Sequence, residues 1–198
     1  MKPRVLVAGI LISVSVRTSG LGAQQAGSTQ VAPPPPPATK LEAFTPKAGS
    51  LVTLGYDELG AIAKFAASGS VSVDVRELSA DVGDAVRGLV VTVRESQYRN
   101  ENAFVDAEEI DELLAAIDAL MAIKTNPTTF VHFERSYSTK GELRLTAYNV
   151  TEGIRYSVRT GRVLRASVST LTTGDLLKLR TMIAAGQAKL RALNAGPS

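Results

Sequence analysis

The stretch that decides the fold is VDAEEIDELLAAIDALMAI, residues Val105–Ile123. Its large apolar residues stand three or four positions apart, which places them on one stripe of an α-helix and leaves the acidic residues outside that stripe. A helix of this kind needs a sheet or a second helix to cover. The stripe consists of Ile110, Leu113, Leu114, Ile117, Leu120 and Met121.

Both ends of this helix carry signals. Asp106 is placed to accept a hydrogen bond from a first-turn amide, while Glu109, three residues on, reaches back, as in a capping box. Acidic residues in the first turn also favour the positive end of the helix dipole. Asn126-Pro127 ends the helix, because proline disfavours helical geometry in the residue before it. No calcium-loop spacing accompanies the acids, so we predict no metal site.

Composition indicates one globular domain with extensions. The 198 residues include 44% hydrophobic residues, one His and no Cys, which excludes disulfides and thiol chemistry. Lys2, Arg4 and Arg17 are the only charged residues among the first 23. Removing these three from the 22 basic residues leaves 19, which equals the 19 acidic residues. The formal charge of +3 therefore gives no support to a nucleic-acid partner.

The N-terminus has the pattern of an export signal. Lys2 and Arg4 precede an apolar run of twelve residues, Val5–Val16, which is too short to span a bilayer comfortably. We predict a signal peptide over 1–23, cleaved after Ala23, with an uncleaved anchor as the alternative. The expected location is periplasmic or secreted, with no membrane span after cleavage.

A proline-rich tail follows. Residues 24–40 include five consecutive prolines, Pro33–Pro37, which favour an extended polyproline II spacer. We predict disorder over 24–40, a single domain over 41–194 and a disordered C-terminus over 195–198.

Alternation of apolar and polar residues predicts the strands. In the first half the candidates are Ser50–Tyr56, Val71–Val75 and Leu89–Val93, with a short helix over 56–67 as an alternative and a loop over 97–102. In the second half, Thr128–Ser138 and three further segments predict an antiparallel meander, because their connections are too short for parallel crossovers. Those three segments are 142–150, 154–159 and 162–170.

A second amphipathic helix is predicted over Asp175–Leu193. Thr172 and Asp175 have capping-box spacing, and Gly186 is expected to let a neighbouring backbone approach closely. This helix is basic, whereas the first is acidic, so we expect that their flanks can meet if both helices lie on one face of the sheet. Its apolar seam is Leu176, Leu179, Ile183, Gly186, Leu190 and Leu193.

The predicted fold class is α+β: an antiparallel sheet of about six to seven strands with two long helices packed on one face. GLVVTVR at Gly88–Arg94 matches GIRYSVR at Gly153–Arg159 with a shift of 65 residues, and the helices match with a shift of 66. Two repeats of strands followed by a helix are one interpretation. Similarity of pattern between two unrelated strand-to-helix segments is the other.

Few residues suggest chemistry. His132 alternates with Glu134 and Ser136, but residues two apart on a strand are about 7 Å apart at their Cα atoms, and no nucleophile elbow accompanies them. We therefore assign no catalytic, metal-binding or cofactor-binding residue. Carboxylates such as Glu134 or Glu142 in a sheet-helix cleft are the hypothesis for a small hydrolase.

Aromatic and basic residues on strands suggest a base-stacking surface, but nucleic-acid motifs are missing and the mature charge is zero. Asn149-Val150-Thr151 is a glycosylation sequon. The aromatic and basic set is Tyr98, Tyr137, Tyr148, Tyr156, Arg94, Arg135, Arg144 and Arg155.

Four strings spread over Lys40–Leu193 carry a resemblance: KLEAF, EEIDELLAAID, FERSYSTKGEL and DLLKLRTMI. With them the chain resembles a group of exported bacterial proteins of unknown function. The resemblance implies a secreted or periplasmic protein of a bacterium, and it implies no activity or site.

The leading functional hypothesis is a non-enzymatic binding or protein-interaction domain of the bacterial cell envelope. Its partner would be an envelope protein or a small ligand, with no nucleic acid and no cofactor. The alternatives are a carboxylate-dependent hydrolase and a structural homo-oligomer in which sheet edges pair.

Overall fold

The computed structural model of the chain describes residues 36–63, 69–81, 83–96, 98–161 and 167–195. These ranges form an α+β fold with two antiparallel sheets of four strands each. The predicted class is confirmed, whereas the prediction of one sheet with six to seven strands is wrong. The predicted signal peptide lies outside the described residues. Among the helices of the described ranges, none has the length and apolar character needed to cross a membrane.

Sheet A contains four strands in chain order: β1 Val52–Ala63, β2 Ser70–Ala80, β3 Val86–Ser96 and β4 Arg99–Asp106. β1 is longer than the predicted strand, and the helix considered over 56–67 is wrong up to residue 63. β4 replaces most of the predicted loop over 97–102. It is an edge strand, so its polar residues face solvent and hide the alternation that a one-sided strand would show.

Sheet B is the predicted meander: β5 Glu134–Ser138, β6 Arg144–Val150, β7 Gly153–Thr160 and β8 Ser167–Leu171. β5 begins six residues later than predicted. The side chain of Asn126 accepts a hydrogen bond from the Thr128 amide at 2.9 Å and donates to the Phe130 carbonyl, which holds residues 126–130 in a loop.

The two sheets stay separate at strands β4 and β5, which are consecutive along the chain but do not pair. The link that the structure shows here is a single bridge between Phe104 of β4 and Gly141 of the β5–β6 turn. A side chain at position 141 would overlap the Phe104 carbonyl, so this contact requires glycine. Each four-strand meander is therefore complete in itself.

Three helices accompany the sheets: α1 Lys40–Ala43, α2 Ile110–Met121 and α3 Thr173–Ala195. Helix α2 packs against β5 and β6 of sheet B, and α3 packs mainly against β1 and β2 of sheet A. Each long helix thus covers the first two strands of the sheet in the other half, so the prediction that both helices pack on one face of a single sheet is wrong. The predicted stripes are buried except Leu193, which is exposed, and Leu114 and Met121, which are half-buried.

Helices α2 and α3 run antiparallel and contact each other. Arg180 of α3 donates two hydrogen bonds, of 2.6 and 2.7 Å, to the carboxylate of Asp118, and Arg191 lies 3.2 Å from Asp111. The prediction that the acidic and basic flanks meet is confirmed. Gly186 faces the side chains of Leu89 and Leu59, so the predicted close approach of a backbone is wrong.

The two helix N-termini differ. Thr172 and Asp175 form the predicted capping box, with the Asp175 amide donating to Thr172 Oγ1 at 3.2 Å and the Thr172 amide donating to Asp175 Oδ2 at 3.0 Å. Asp106 makes no side-chain cap, so the capping box predicted for α2 is wrong. A single 3₁₀ turn, Ala107–Glu109, begins this segment instead.

Asp106 and Glu109 accept hydrogen bonds from backbone amides of segments that are distant in the sequence. The amide of Lys40 donates to Asp106 Oδ1 at 3.0 Å, and the amide of Lys140 donates to Glu109 Oε1 at 3.0 Å. Both carboxylates are buried. Burial raises the pKa of Asp106 because water is removed from its charged form. Lys40, which the sequence analysis assigns to the tail, therefore belongs to the folded unit, which begins at Pro36.

The core lies between the inner sheet faces and the two long helices. Val71, Val73 and Val75 of β2 alternate with outward-facing residues, as predicted, and β3 contributes its own inward set. The largest fully buried side chains are Leu89, Ile110, Leu113, Ile117, Leu143, Leu145, Leu171, Leu176, Leu179, Ile183 and Leu190.

Both halves have the same order of elements, four antiparallel strands and then a long helix. The matched segments Gly88–Arg94 and Gly153–Arg159 lie on β3 and β7, the third strand of each sheet. Strand register extends the match to the first strand of each sheet. Glu58 of β1 lies opposite Asp74 and Glu134 of β5 lies opposite Tyr148, so a glutamate stands at the same place in both sheets. A duplication remains a prediction.

Candidate functional site on the outer sheet faces

The outer face of each sheet, opposite the core, has a shallow cavity. The cavity on sheet A has a volume of about 440 Å³ and that on sheet B about 350 Å³. Both are lined mainly by the polar side chains that alternate with the buried residues of the strands. The two faces occupy equivalent positions in the two halves, so their differences indicate which one is free to bind a ligand.

On sheet A two pairs of lining side chains bond to each other. Arg76 lies 2.9 Å from the carboxylate of Asp74, and the Thr92 hydroxyl donates to the amide oxygen of Asn102 at 2.7 Å. Part of this face is also covered, because Leu41 of α1 packs above Gly88. Its other lining residues include Glu58, Ser72, Arg94 and Asn100.

On sheet B a row of four hydroxyl side chains crosses all four strands. The strand registers place Ser136, Thr146, Ser157 and Thr170 side by side. With strands about 4.8 Å apart, the row is about 14 Å long. The hydroxyls of Ser136 and Thr146 are 2.9 Å apart and hydrogen-bonded to each other. All four residues line the cavity.

Two arginines lie on one side of this hydroxyl row. Arg144 of β6 and Arg159 of β7 are direct cross-strand partners, and both line the cavity. Arg144 Nε donates to the Ser138 hydroxyl at 3.0 Å. Within the described ranges, neither guanidinium forms an ion pair with an acidic side chain. On the other side of the row stand Glu134 and its cross-strand partner Tyr148.

Two of the residues considered for catalysis line this cavity. Glu134 and Ser136 line the sheet B cavity, whereas His132 is exposed in the loop before β5. Glu142 occupies the β5–β6 turn with φ +67° and does not line either cavity. No facing pair is formed by Glu134 and Glu142, the two carboxylates named for a hydrolase.

The aromatic and basic residues do not share one surface. Tyr156 is buried in the core, and Tyr137 is half-buried against it. Tyr98 is 89% exposed, away from both cavities. Tyr148 remains on the outer face of sheet B, where its cross-strand partner on β7 is Arg155. The single aromatic and basic sheet surface that was considered and not favoured is therefore not formed by these residues.

The sequon asparagine is already engaged in the fold. Asn149 Oδ1 accepts a hydrogen bond from the Phe133 amide at 2.9 Å, and its Nδ2 donates to the Val131 carbonyl at 2.7 Å. A glycan on Nδ2 would disturb these bonds.

Nothing in the described part of the chain groups three or more His, Asp or Glu side chains closely enough to hold a metal ion. The arginine pair and the hydroxyl row are the functional candidates that sequence reasoning missed. They become visible only when strand register is known, because Arg144 and Arg159 are 15 positions apart in the sequence. The available signal was the alternation of Ser, Thr and Arg along four consecutive strands.

Comparison with known proteins adds no assignment. The chain matches no protein-family model, and no curated protein or solved structure is significantly similar to it.

Proposed function

We propose that this chain is a non-enzymatic, exported binding protein of the bacterial cell envelope, and that the outer face of sheet B contacts its ligand. The observation that carries this proposal is the cavity of about 350 Å³ on that face. Within the described residues neither of its arginines forms an ion pair with an acid, whereas Arg76 on sheet A is paired with Asp74. Cavities of at least about 300 Å³ are the usual size for small-ligand sites.

Export is supported by the sequence. The basic start and apolar run of residues 1–23, and the resemblance over Lys40–Leu193, both favour an envelope protein. A binding function is supported by the site itself, because hydroxyl and guanidinium groups orient a ligand without supplying a nucleophile, a general base and a leaving-group acid at one point.

Amide chemical shifts test the proposal directly. The ¹⁵N-labelled chain would be titrated with a defined panel of neutral sugars, acidic sugars, amino acids and inorganic anions while ¹H–¹⁵N spectra are recorded. We expect at least one compound to shift amides of β5–β8 whose side chains line the sheet B cavity. A panel that moves no amide, or moves only those of sheet A, would overturn the assignment of this face.

A second candidate function is a structural homo-oligomer, and β1 is the observation that favours it. β1 is an edge strand of twelve residues, so one side of its backbone is unpaired. Its outward-facing Val52, Leu54 and Tyr56 are 43%, 52% and 62% exposed. Residues Leu51–Tyr56 carry no charge to oppose pairing.

This edge is complementary to itself. If two copies pair antiparallel about Leu54, Val52 of each meets Tyr56 of the other, and the two Leu54 side chains meet at the axis. Leu54→Lys would place two like charges opposite each other at that axis. The control is Val168→Lys on β8, an edge strand of sheet B, where Val168 is 44% exposed.

Sedimentation velocity distinguishes the outcomes. The homo-oligomer hypothesis expects a dimer for the unmodified chain and for Val168→Lys, and a monomer for Leu54→Lys. A single monomeric species for the unmodified chain at all concentrations would dispose of it. That result would leave the proposed binding function unaffected.

A further inference from the structure

We infer that the outer face of sheet B binds an anionic sugar, a pyranose that carries a carboxylate or a phosphate, with Arg144 and Arg159 receiving the anionic group. This inference rests on the proposed binding function and adds the chemical class of the ligand. It is drawn from three features of the same cavity: the arginine pair, the hydroxyl row and Tyr148 beside Glu134.

The arginine pair points to an anion. Arg144 and Arg159 are direct cross-strand partners on the same face, and like charges in this position repel each other. Along the four strands their row contains no acid, since its other members are Ser138 and Val168, and at its end the Val168 amide donates to Glu95 Oε1 of β3 at 2.6 Å. Two guanidinium groups side by side offer a planar set of N–H donors, which matches the oxygens of a carboxylate or phosphate. An anion bound between them would remove the repulsion.

The hydroxyl row points to a ligand with many hydroxyl groups. Serine and threonine side chains donate and accept hydrogen bonds, so a row of four of them, Ser136, Thr146, Ser157 and Thr170, matches the alternating donors and acceptors of a sugar. The phenol ring of Tyr148 provides a flat apolar surface with a polar tip, against which the C–H face of a pyranose ring packs. The carboxylate of Glu134 accepts hydrogen bonds from sugar hydroxyls.

The strand registers set the order of these features along the face. Ser138 lies in the row of the arginines, and Glu134, four residues earlier on β5, lies in the row of Tyr148. Four residues of strand correspond to about 13–14 Å. The anionic group therefore binds at one end of the face and the sugar hydroxyls lie over the centre, toward Tyr148.

Sheet A provides an internal control, because the same positions carry different chemistry. Opposite Arg94, the counterpart of Arg159, stand Ser70 and Asn100, so sheet A has one arginine where sheet B has two. Beside them the hydroxyl row is reduced to Ser72 and Thr92, which lie between Ala61 and Asn102. An anionic sugar is therefore expected to prefer sheet B.

The test uses four probes: galacturonic acid, galactose 6-phosphate, galactose and inorganic phosphate. Each is titrated into the ¹⁵N-labelled chain, into Arg159→Gln and into Arg94→Gln, at low and at high salt. We expect one or both acidic sugars to bind and to shift amides of β5–β8. Arg159→Gln should weaken that binding about tenfold or more, because a charge-assisted hydrogen bond is lost, whereas Arg94→Gln should leave it unchanged. Added salt should weaken it as well.

Arg159→Lys keeps the charge and loses the planar fork, so its affinity should fall between those of the unmodified chain and Arg159→Gln. Retained dispersion of the amide spectrum identifies variants that remain folded. If Arg159→Gln unfolds, Arg144→Gln replaces it and the same loss is expected.

Each remaining outcome overturns a stated part. Binding of galactose as tight as that of the acidic sugars would overturn the anionic class but leave the proposed binding face standing. Inorganic phosphate binding as tightly as galactose 6-phosphate would overturn the role of the sugar. If Arg94→Gln weakens the binding of the acidic sugars and Arg159→Gln does not, the site would lie on sheet A. Binding of none of the four probes would overturn the inference, whereas only failure of the wider panel to shift this face would overturn the proposed function.

Discussion

The two halves of the molecule share their order of elements and differ on the surfaces that face away from the core. In both, four antiparallel strands precede a long helix, and the helix covers the sheet of the other half. The inward residues keep the same pattern because both sheets bury one face. The outward residues differ: Asp74 on sheet A is paired with Arg76, whereas Arg144 and Arg159 on sheet B face each other. Burial therefore constrains the inward residues that the two halves share, whereas the exposed outward residues are free to differ and to bind a ligand.

The same comparison extends to the starts of α2 and α3. Asp106 and Glu109 precede α2, and the matching residues are Thr172, just before α3, and Asp175, in its first turn. Only the second pair forms a capping box. The first pair is buried and bonded to the backbone of Lys40 and Lys140. Equal spacing thus gives different contacts where one pair is enclosed by other segments.

The largest effect should come from the shared core. Leu113 of α2 and Ile183 of α3 are both completely buried. Replacing either with alanine removes buried methyl groups and leaves a cavity, so each variant should lose about 2–4 kcal/mol of unfolding free energy. Urea denaturation measures the loss. Leu177→Ala is the control, because Leu177 of α3 is 50% exposed. This variant should lose much less unfolding free energy.

Similar losses for Leu113→Ala and Ile183→Ala would support the equivalence of the two helices. An unfolding free energy that stays nearly unchanged in both variants would contradict the assignment of these residues to the core.

The next largest effect on stability concerns the capping box, which is present at the N-terminus of α3 and missing at that of α2. Thr172→Ala removes the hydroxyl that accepts a hydrogen bond from the Asp175 amide, and N-cap losses of this kind are about 1 kcal/mol. Thr173→Ala, one residue further on and also exposed, leaves the capping hydroxyl in place and is the matched control. Urea denaturation of both variants makes the comparison. Equal stability of the two variants would show that the capping box contributes nothing.

Sequence reasoning predicted those parts of the fold in which a strand or helix buries only one of its faces. The alternation at Val71, Val73 and Val75, the helical stripe of α2 and the meander of sheet B all follow from apolar spacing. The division into two sheets did not follow, because pairing between strands separated by a helix leaves no periodic signal. β4 was missed since its exposed polar residues resemble a loop.

The candidate site was beyond the sequence for a related reason. Which outward side chains meet depends on register, and a shift of one residue would place Arg144 and Arg159 on different faces. His132 lies outside β5 and does not line the cavity because β5 begins only at Glu134, after the loop that Asn126 holds. The buried role of Asp106 depends on α1, a helix of four residues that has no amphipathic pattern, and that of Glu109 depends on the β5–β6 turn.

A smaller effect concerns the pH dependence of Asp106. Because burial raises its pKa, the folded state favours the protonated carboxyl. The stability that this group contributes is present below its unfolded pKa and is lost as pH rises through its raised folded value. Asp106→Asn keeps an oxygen that accepts from the Lys40 amide and cannot ionise. The variant should therefore gain stability relative to the unmodified chain as pH rises through this window, and the difference should then level off.

Urea denaturation between pH 3 and pH 7 measures this difference. Asp84→Asn is the control, because Asp84 is an exposed acid in the turn before β3. A difference between Asp106→Asn and the unmodified chain that stays constant with pH would show that Asp106 ionises equally easily in the folded and unfolded states.

The smallest effect lies where the two halves touch at their surface. Arg180 holds the pKa of the Asp118 carboxyl below its ordinary value, chiefly through the hydrogen bonds that it donates. The stability gained is present above the ordinary carboxyl pKa and is lost as pH falls through the lowered value. Arg180→Gln should raise the pKa of Asp118 toward the ordinary value, whereas Lys178→Gln should not. Titration of the Asp118 carboxyl carbon by NMR measures both. An Asp118 that titrates alike in the two variants would mean that water separates this pair in solution, and the antiparallel contact of α2 and α3 would then depend on Leu and Ile packing alone.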